Sequence, residues 1–292
     1  MVSKELSNLQ QIHDSIYLCT VNGLDSVYIA NQHVNACISL FGGQLLWFKP
    51  KNQQDVIWLG NQAVWDKSRP IRGGIPICFP WFGKSGGEQT HGFARNVNWE
   101  LSECTEIAGE IRVTLTLRDG TPTTSIWPHK FENQLIYTIT EELKIDLVTK
   151  NTDDYTWLYS GAIHTYFNIG DINGVTVSGV GKSYLDGVDG YMQKAGQDEI
   201  SIEQETIRIC LDSEDTIAIF DKKFNRTIHV TNQGHNAAVI WNPWVETTKL
   251  TDDMVDDEYK SMLCVESTIY GDNPVQLEPG KYHKLSTIIS IS

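Results

Sequence analysis

The sequence predicts an all-β protein with few short helices. Ile, Val and Thr, which favour extended chain, number 72 against 31 Leu and Ala, which favour helix. Between Ile111 and Arg118 every second side chain is apolar, as expected of a half-buried strand. No stretch shows three turns of helical periodicity with a good cap, so we expect helices only as short connectors.

The run Ile111 to Arg118 is the clearest predicted strand, and it ends at the turn pair Asp119-Gly120. Gly, Asn or Asp separates most of the other short alternating runs. In order along the chain, these further predicted strands are Ser26 to Ile29, Gln134 to Thr140, Leu143 to Val148, Thr216 to Phe220, Thr227 to Val230 and Tyr282 to Ile291.

The 292 residues are expected to form a single domain over 1–292, because no Pro-, Ser- or Gly-rich linker and no change of composition divides them. The first fifteen residues contain no apolar core of the kind found in a secretory signal. The six cysteines include no CxxC pair, which favours free thiols in a reducing compartment over disulfides or a zinc site. These observations predict a cytoplasmic protein.

Asp and Glu exceed Lys and Arg by 37 to 23, which gives a net charge of −14. This charge repels nucleic acid and anionic membrane surfaces, so neither is an expected partner. The longest apolar stretch, Ala237 to Trp241, is far short of the roughly 20 residues that a membrane span requires. We expect a monomer, and any anionic ligand would need a local pocket of Arg or Lys.

Residues Arg72 to Gly83 form the most unusual stretch, because paired glycines and two prolines interrupt an aromatic-rich run. Such a backbone is neither an ordinary helix nor a central strand, and it predicts a rigid loop that lines a site. Arg72 has two possible roles. It either reaches an anion or forms a buried ion pair that supports the loop.

Two histidine motifs are candidates for chemistry. His91 and Arg95 lie four residues apart beside Gly92, which alone is a weak signal. His164 lies in the aromatic run Ile163 to Asn168. The simplest interpretation there is a core histidine whose hydrogen bonds are made within the protein.

Near the C-terminus, Trp241 and Trp244 offer aromatic faces of the kind that pack on sugar rings, and Trp244 is a candidate contact. Glu266 lies in an otherwise apolar strand, where an unpaired carboxylate is costly to bury, so it is the carboxylate most suspected of function. The acidic segment 252–258 is expected to be a solvated loop.

Together these motifs resemble the hexose-6-phosphate mutarotases, also called glucose-6-phosphate 1-epimerases. The resemblance implies a galactose-mutarotase-like fold, an antiparallel β-supersandwich that binds sugar in a cleft, over roughly residues 25 to 290. The motifs that agree in order and spacing are Arg72-Gly-Gly-Ile-Pro, Phe79-Pro-Trp-Phe-Gly, His91-Gly-Phe-Ala-Arg95, His164-Thr-Tyr-Phe-Asn, Trp241-Asn-Pro and Cys264-Val-Glu266.

The resemblance also implies roles. His164 matches the acid that protonates the ring oxygen, and Glu266 matches the base that takes the anomeric proton. His91 matches a second histidine that contacts the sugar, and Arg72 and Arg95 match arginines associated with the substrate and its phosphate. Mutarotation needs an acid and a base, so no metal or other cofactor is expected.

Three positions depart from the family pattern: Ile207 replaces an Asp that bonds a sugar hydroxyl, Cys210 replaces a Tyr, and Gly187 replaces a Lys. The expected function is an aldose 1-epimerase that interconverts the α and β anomers of a hexose 6-phosphate. The alternative is a non-catalytic carbohydrate-binding relative that uses the same cleft. Glycoside hydrolysis is disfavoured because it usually requires two carboxylates, and Glu266 is the one candidate.

Overall fold

The computed structural model describes residues 4–84 and 89–292, which form strands joined by turns and short helices. The strands are β1 Leu6–Gln11, β2 Ile16–Val21, β3 Leu24–Ala30, β4 Val34–Ser39, β5 Leu45–Pro50, β6 Ile77–Cys78, β7 Glu100–Ile107, β8 Glu110–Arg118, β9 Phe131–Ile139, β10 Leu143–Asn151, β11 Trp157–Tyr159, β12 Gly161–Ile163, β13 Tyr166–Asn168, β14 Val175–Ser178, β15 Ser183–Asp186, β16 Met192–Ala195, β17 Glu199–Ser201, β18 Thr206–Cys210, β19 Thr216–Asp221, β20 Arg226–Gln233, β21 Ala237–Asn242, β22 Met262–Ile269, β23 Val275–Leu277 and β24 Tyr282–Ile291. The α-helices are α1 Thr121–Thr124 and α2 Trp244–Lys249, and the 3₁₀ helices are Ala94–Asn96, Ile172–Gly174, Gly187–Asp189 and Glu258–Ser261.

The all-β prediction is confirmed, and each predicted strand overlaps an observed one. The predicted run Tyr282 to Ile291 coincides with β24. Strand β8 ends at Arg118, as predicted. The turn pair Asp119-Gly120 does not use the positive φ that it tolerates, because Gly120 has an extended backbone, with φ of −170°, and is the N-cap residue of the short helix α1.

The strands pair antiparallel in two large sheets and two smaller ones. The first five strands form one sheet in sequence order. A nine-stranded sheet has the order β17-β14-β19-β20-β24-β10-β9-β8-β7, and an eight-stranded sheet has the order β16-β15-β18-β21-β22-β12-β6. Strand β13 also pairs with β22, and β11 pairs with β23.

The inner faces of the nine- and eight-stranded sheets contribute to one buried apolar cluster. Successive side chains of a strand point to opposite faces, so the other half of each strand faces away from this cluster. In β22, Leu263 and Val265 belong to the cluster, whereas Cys264 and Glu266 lie on the outer face. This alternation places the functional candidates on the outer face of the eight-stranded sheet.

All six cysteines are free, as predicted, and five of them are buried while Cys104 is half-buried. Among residues 4–84 and 89–292, none of the helices has the length and apolar character needed to cross a membrane.

Candidate active site

A cavity of about 1110 Å³ opens on the outer face of the eight-stranded sheet. Five of the six sequence-predicted site residues line it, namely Arg72, His91, Arg95, His164 and Glu266. The other charged or aromatic side chains of its lining are Arg69, Phe82, Lys84, Tyr166, Tyr191, Trp241, Asp253, Tyr270 and Asp272.

Strand register brings His164 and Glu266 together in this cavity. His164 lies between β12 and β13, and both of these strands pair with β22, through Ile163 opposite Ser267 and Tyr166 opposite Cys264. The Nε2 atom of His164 is 3.4 Å from the Oε1 atom of Glu266. His164 is 6% exposed and Glu266 is 1% exposed, so solvent screens the pair very little.

Burial sets the protonation preferences of this pair. It raises the pKa of the Glu266 carboxyl well above its usual range, although the positive charge of Arg95 opposes the shift. It also lowers the pKa of His164 well below the usual value, and the nearby charges of Arg95 and Arg72 add to this effect. At rest, therefore, both groups favour their neutral forms and the pair holds one proton, on Glu266.

The pair has unused hydrogen-bonding capacity. The Oε2 atom of Glu266 and the Nδ1 atom of His164 are buried and find no partner among the described residues. Buried polar atoms are normally paired, so such atoms in a cavity point to a ligand that completes them. Tyr166, which stacks on His164 with ring centroids 4.8 Å apart, holds the orientation of the imidazole.

His91 is positioned by the close approach of two chain segments. Gly92 bridges to Phe79 with a φ of +70°, and a Cβ atom at that position would lie 2.0 Å from the Phe79 carbonyl oxygen. The backbone N–H of Gly83 donates to Nδ1 of His91 over 3.1 Å, which leaves Nε2 to carry the proton of the neutral ring. Burial, followed by the charges of Arg95 and Arg72, lowers the pKa of His91 to about 3. His91 is therefore a neutral hydrogen-bond donor.

Arg72 forms the ion pair that one of its two interpretations predicts, and the binding of an anion stays a prediction. Its side chain lines the cavity, and its Nε donates to Oδ1 of Asp253 over 3.0 Å while its Nη1 donates to the Tyr166 hydroxyl over 3.2 Å. Burial alone lowers the pKa of Arg72, but Tyr166 and Asp253 raise it overall, so the guanidinium remains charged.

The prediction of a solvated loop over 252–258 is wrong for Asp253 and Glu258. Both side chains are buried, and Glu258 accepts hydrogen bonds from the backbone and side-chain nitrogens of Asn61. Charge density alone suggested exposure, whereas each carboxylate has a specific partner far away in the sequence that compensates its burial.

Arg95 and Lys84 are cations of the cavity lining whose charge no described carboxylate neutralises. Nη2 of Arg95 donates to the Thr90 carbonyl over 2.8 Å, and its Nε is buried without a hydrogen-bond partner. Within the described ranges, neither Arg95 nor Lys84 has a carboxylate within ion-pair distance, in contrast to Arg72 and Arg69. An anionic group entering the cavity would find these two charges available.

The structure does not bring Trp244 to the cavity. Its ring packs on Tyr259 with centroids 5.2 Å apart, because Trp244 begins α2 beyond the end of β21. Trp241, which lies within β21 on the outer face, lines the cavity in its place. Tyr166 was missed, although its position two residues after His164 in an extended segment places both on one face.

The apolar residues of the cavity lining include Ile207, Ile209 and Val239, from the neighbouring strands β18 and β21, and Val239 pairs with Glu266 of β22. Gly187 allows this packing, since a Cβ atom there would lie 2.5 Å from the Ile207 side chain. Four acids on the segments that flank Ile207, namely Asp186, Asp189, Asp212 and Asp215, lie outside the described cavity lining. Asp272, which the sequence did not single out, does line it.

Known proteins of one family are similar to this chain over most of its length. The family model described as "Aldose 1-epimerase" matches residues 25–290. A protein of Escherichia coli K12 described as "Putative glucose-6-phosphate 1-epimerase" is 35% identical over 262 residues, which cover 89% of this chain and 88% of that one. A protein of Cenchrus ciliaris with the same description is 36% identical and covers 90% of this chain and 83% of its own.

Solved structures agree. A putative mutarotase of Salmonella typhimurium superposes with a TM-score of 0.93 at 32% identity, covering 98% of this chain and 97% of its own. A galactose mutarotase related enzyme of Lactobacillus acidophilus, at 18% identity, shares the fold with a TM-score of 0.71 over 91% of this chain and 97% of its own. The predicted galactose-mutarotase-like fold is thereby confirmed.

Proposed function

The chain belongs to the aldose 1-epimerase family, and we propose that it interconverts the α and β anomers of a hexose 6-phosphate. Membership makes it an enzyme that acts on a carbohydrate. The phosphorylated substrate and the roles of individual residues are the content of the proposal. The description of the relatives in Escherichia coli and Cenchrus ciliaris as glucose-6-phosphate 1-epimerases supports the substrate class.

The observation that carries the proposal is the His164–Glu266 pair, joined over 3.4 Å in the cavity. In the proposed reaction, the Glu266 carboxylate takes the proton of the anomeric hydroxyl while protonated His164 gives a proton to the ring oxygen. The bond between the anomeric carbon and the ring oxygen breaks, and an aldehyde forms. After rotation of the aldehyde, the reverse transfers close the ring with the other configuration.

The pair holds one proton throughout this cycle. The proton that rests on Glu266 moves to His164 before ring opening, and Glu266 is protonated again as the ring opens, so the total charge of the pair stays at zero. Burial favours the state with neutral His164 and protonated Glu266, while Arg95 stabilises the ionised carboxylate. Because burial and Arg95 act in opposite directions on Glu266, the free energies of the two protonation states are brought closer together, as reversible acid–base exchange requires.

Arg95 and Lys84, which have no carboxylate within ion-pair distance among the described residues, support a phosphorylated substrate. Arg95 and Lys84 line the cavity of a chain whose net charge is −14, and a guanidinium and an ammonium at one site are suited to a phosphate dianion. We assign Arg95 to the phosphate with Lys84 as a second contact, His91 to a sugar oxygen through its Nε2 proton, and Arg72 to the wall that positions Tyr166.

Exchange NMR on anomeric pairs tests the proposal. Glucose, galactose and mannose 6-phosphates should exchange faster with the enzyme than without it, and faster than the unphosphorylated sugars under the same conditions. Equal enhancement for phosphorylated and free sugars would contradict the phosphate assignment. Tight binding without any exchange would instead support the non-catalytic alternative, which the family match and the intact pair do not favour.

The remaining expectations stay proposals of the same kind. A cytoplasmic location is supported by six free cysteines, five of them buried. A single domain over residues 1–292 is supported by the apolar cluster that both large sheets share. A monomer remains an expectation from the sequence.

A further inference from the structure

We propose that His164, Cys264 and Glu266 form a binding site for a soft divalent metal ion of the Zn²⁺ class, which inhibits the enzyme by occupying both proton-transfer groups. The inhibitory consequence rests on the proposed function. The binding itself rests on the geometry of three side chains, of which Cys264 has no part in the reaction.

The three ligand atoms are already close together. The His164 nitrogen, the Cys264 sulfur and a Glu266 oxygen all lie within 4.8 Å of one another, and the nitrogen and oxygen are 3.4 Å apart. Zinc bonds of roughly 2.0–2.3 Å place tetrahedral ligands about 3.3–3.8 Å from one another. The pair therefore has the required spacing, and the sulfur needs to move by about 1 Å at most.

The backbone fixes two of the ligands on one face. Cys264 and Glu266 are two residues apart in β22, so their side chains point the same way. Cys264 is held on both sides, because it pairs with Tyr166 of β13 and with Trp241 of β21. The site is built on the central strands of a sheet and not on a loop, which limits its freedom to rearrange.

The ligand types select the metal. Imidazole, thiolate and carboxylate together suit Zn²⁺ or Co²⁺, whereas Mg²⁺ and Ca²⁺ prefer sites made entirely of oxygen. On binding, the ion displaces the protons of the Cys264 thiol and the Glu266 carboxyl to solvent. The resulting thiolate and carboxylate supply two negative charges, which neutralise a divalent ion inside a cavity that also contains Arg72 and Arg95. The two ligand charges therefore offset the repulsion that a divalent cation would feel from Arg72 and Arg95.

The position of the cluster leaves one coordination position open. His164 and Glu266 line the cavity, while Cys264 is outside the described lining and belongs to the buried cluster with Trp58 and Met262. The buried Oε2 atom of Glu266, which has no partner within the described structure, gives the carboxylate a second oxygen free for the ion. Three protein ligands with a fourth position facing a cavity is a common arrangement for protein-bound zinc. An ion held there occupies the two groups that the reaction needs.

Cobalt spectroscopy and anomer exchange test this proposal on the full chain after treatment with a chelator. Co²⁺ should produce a thiolate-to-metal charge-transfer absorption that Zn²⁺ abolishes on displacing it, and Zn²⁺ should suppress anomer exchange over the same concentration range. Mg²⁺ should do neither. In Cys264→Ser, the charge-transfer absorption should be lost, and the Zn²⁺ concentration for half-inhibition should rise roughly tenfold or more, since tenfold is only about 1.4 kcal/mol of binding.

Cys210→Ser is the matched control, because Cys210 is also buried in the eight-stranded sheet but lies outside the cluster. It should keep the cobalt absorption and the inhibition of the wild type, each variant being compared with its own rate without metal. Cobalt binding to the wild type without a thiolate absorption would overturn the proposal, and that result needs no variant to fold. Metal binding with the expected spectrum in a protein that shows no anomer exchange would overturn the proposed function and leave the metal site standing.

Discussion

The charged and the apolar residues of the cavity lining, which we call its charged and apolar sides, are held in place by different interactions. On the charged side, polar partners fix the side chains: Asp253 and Tyr166 fix Arg72, the Gly83 amide fixes His91, and the Thr90 carbonyl fixes Arg95. On the apolar side, Ile207, Ile209 and Val239 have no polar groups to satisfy, and sheet register alone aligns them.

This contrast separates the reaction from the choice of sugar. On the charged side, loss of one partner leaves another polar group buried and unsatisfied, so each change is costly. On the apolar side, a substitution alters shape or adds a polar group without disturbing a network. We therefore expect changes on the charged side to affect the reaction or stability, and changes on the apolar side to affect affinity for particular sugars.

The largest effect on the charged side is expected from Glu266→Gln. The amide keeps the size of the side chain but cannot accept the anomeric proton, so exchange should fall by a factor on the order of 10² or more. Exchange NMR of glucose 6-phosphate anomers measures the loss, and circular dichroism checks that the sheets remain. Exchange near the wild-type rate would refute the role of Glu266 as the base.

Glu258→Gln provides the control for removing a buried carboxylate. Glu258 is 5% exposed and accepts hydrogen bonds from Asn61 and from the Val255 amide, away from the cavity. The substitution should cost about 1–3 kcal/mol of unfolding free energy, because a buried charge-assisted network is disturbed. Its exchange rate should stay close to that of the wild type when measured well below the unfolding transition.

The next prediction concerns Arg95→Gln. Because Arg95 lacks a carboxylate partner within the described structure, its loss should weaken binding of a phosphorylated hexose by about 1.5–3 kcal/mol, the scale of a hydrogen bond to a charged group. The free sugar should be affected much less. Comparing the KM for glucose 6-phosphate with that for glucose measures the difference, and equal losses for both would mean that Arg95 is structural.

The sequence predicted the strands better than the partners of buried charges. Strand periodicity is a local signal, and it located β8 and β24 almost to the residue. The same periodicity places Cys264 and Glu266 on one face, so the site face was also accessible from the sequence. The pairing of Arg72 with Asp253 joins residues 181 positions apart, and no local pattern encodes it. The prediction that Trp244 contacts the sugar depended on where β21 ends, which no local pattern showed. Because β21 ends at Asn242, two residues earlier, Trp244 does not share the face that Trp241 occupies.

Asp253→Asn sharpens the comparison between Arg72 and Arg95. Arg72 is already neutralised by Asp253 over 3.0 Å, so the pair should act mainly as a support for Tyr166 and the loop. Removing the charge should cost about 1–2 kcal/mol of unfolding free energy, because a hydrogen-bond acceptor remains but the ionic partner is lost. Urea unfolding measures this cost. KM for the phosphorylated and the free sugar should change by similar factors, and a selective effect on the phosphorylated sugar would give Arg72 the phosphate role.

The smallest effect is expected on the apolar side, from Ile207→Asp. A carboxylate there would accept a charge-assisted hydrogen bond from a sugar hydroxyl, worth roughly 1.5–3 kcal/mol, but it would also lose hydration beside Ile209 and Val239. The net gain in affinity for the preferred hexose 6-phosphate should be about tenfold or less, and the analogue lacking that hydroxyl should gain nothing. Calorimetric titration of both ligands measures the difference.

Ile207→Asn is the matched control, because it supplies a hydrogen-bond acceptor of the same size without the charge, and it should recover only part of the gain. The wild type, with Ile207, should accept epimers and deoxy analogues more evenly than the Asp variant does. If the Asp variant binds the hexose 6-phosphate and its deoxy analogue with unchanged affinity, no sugar hydroxyl faces position 207. The apolar side would then shape the cavity without selecting the sugar, and the division between the two sides would fail at that point.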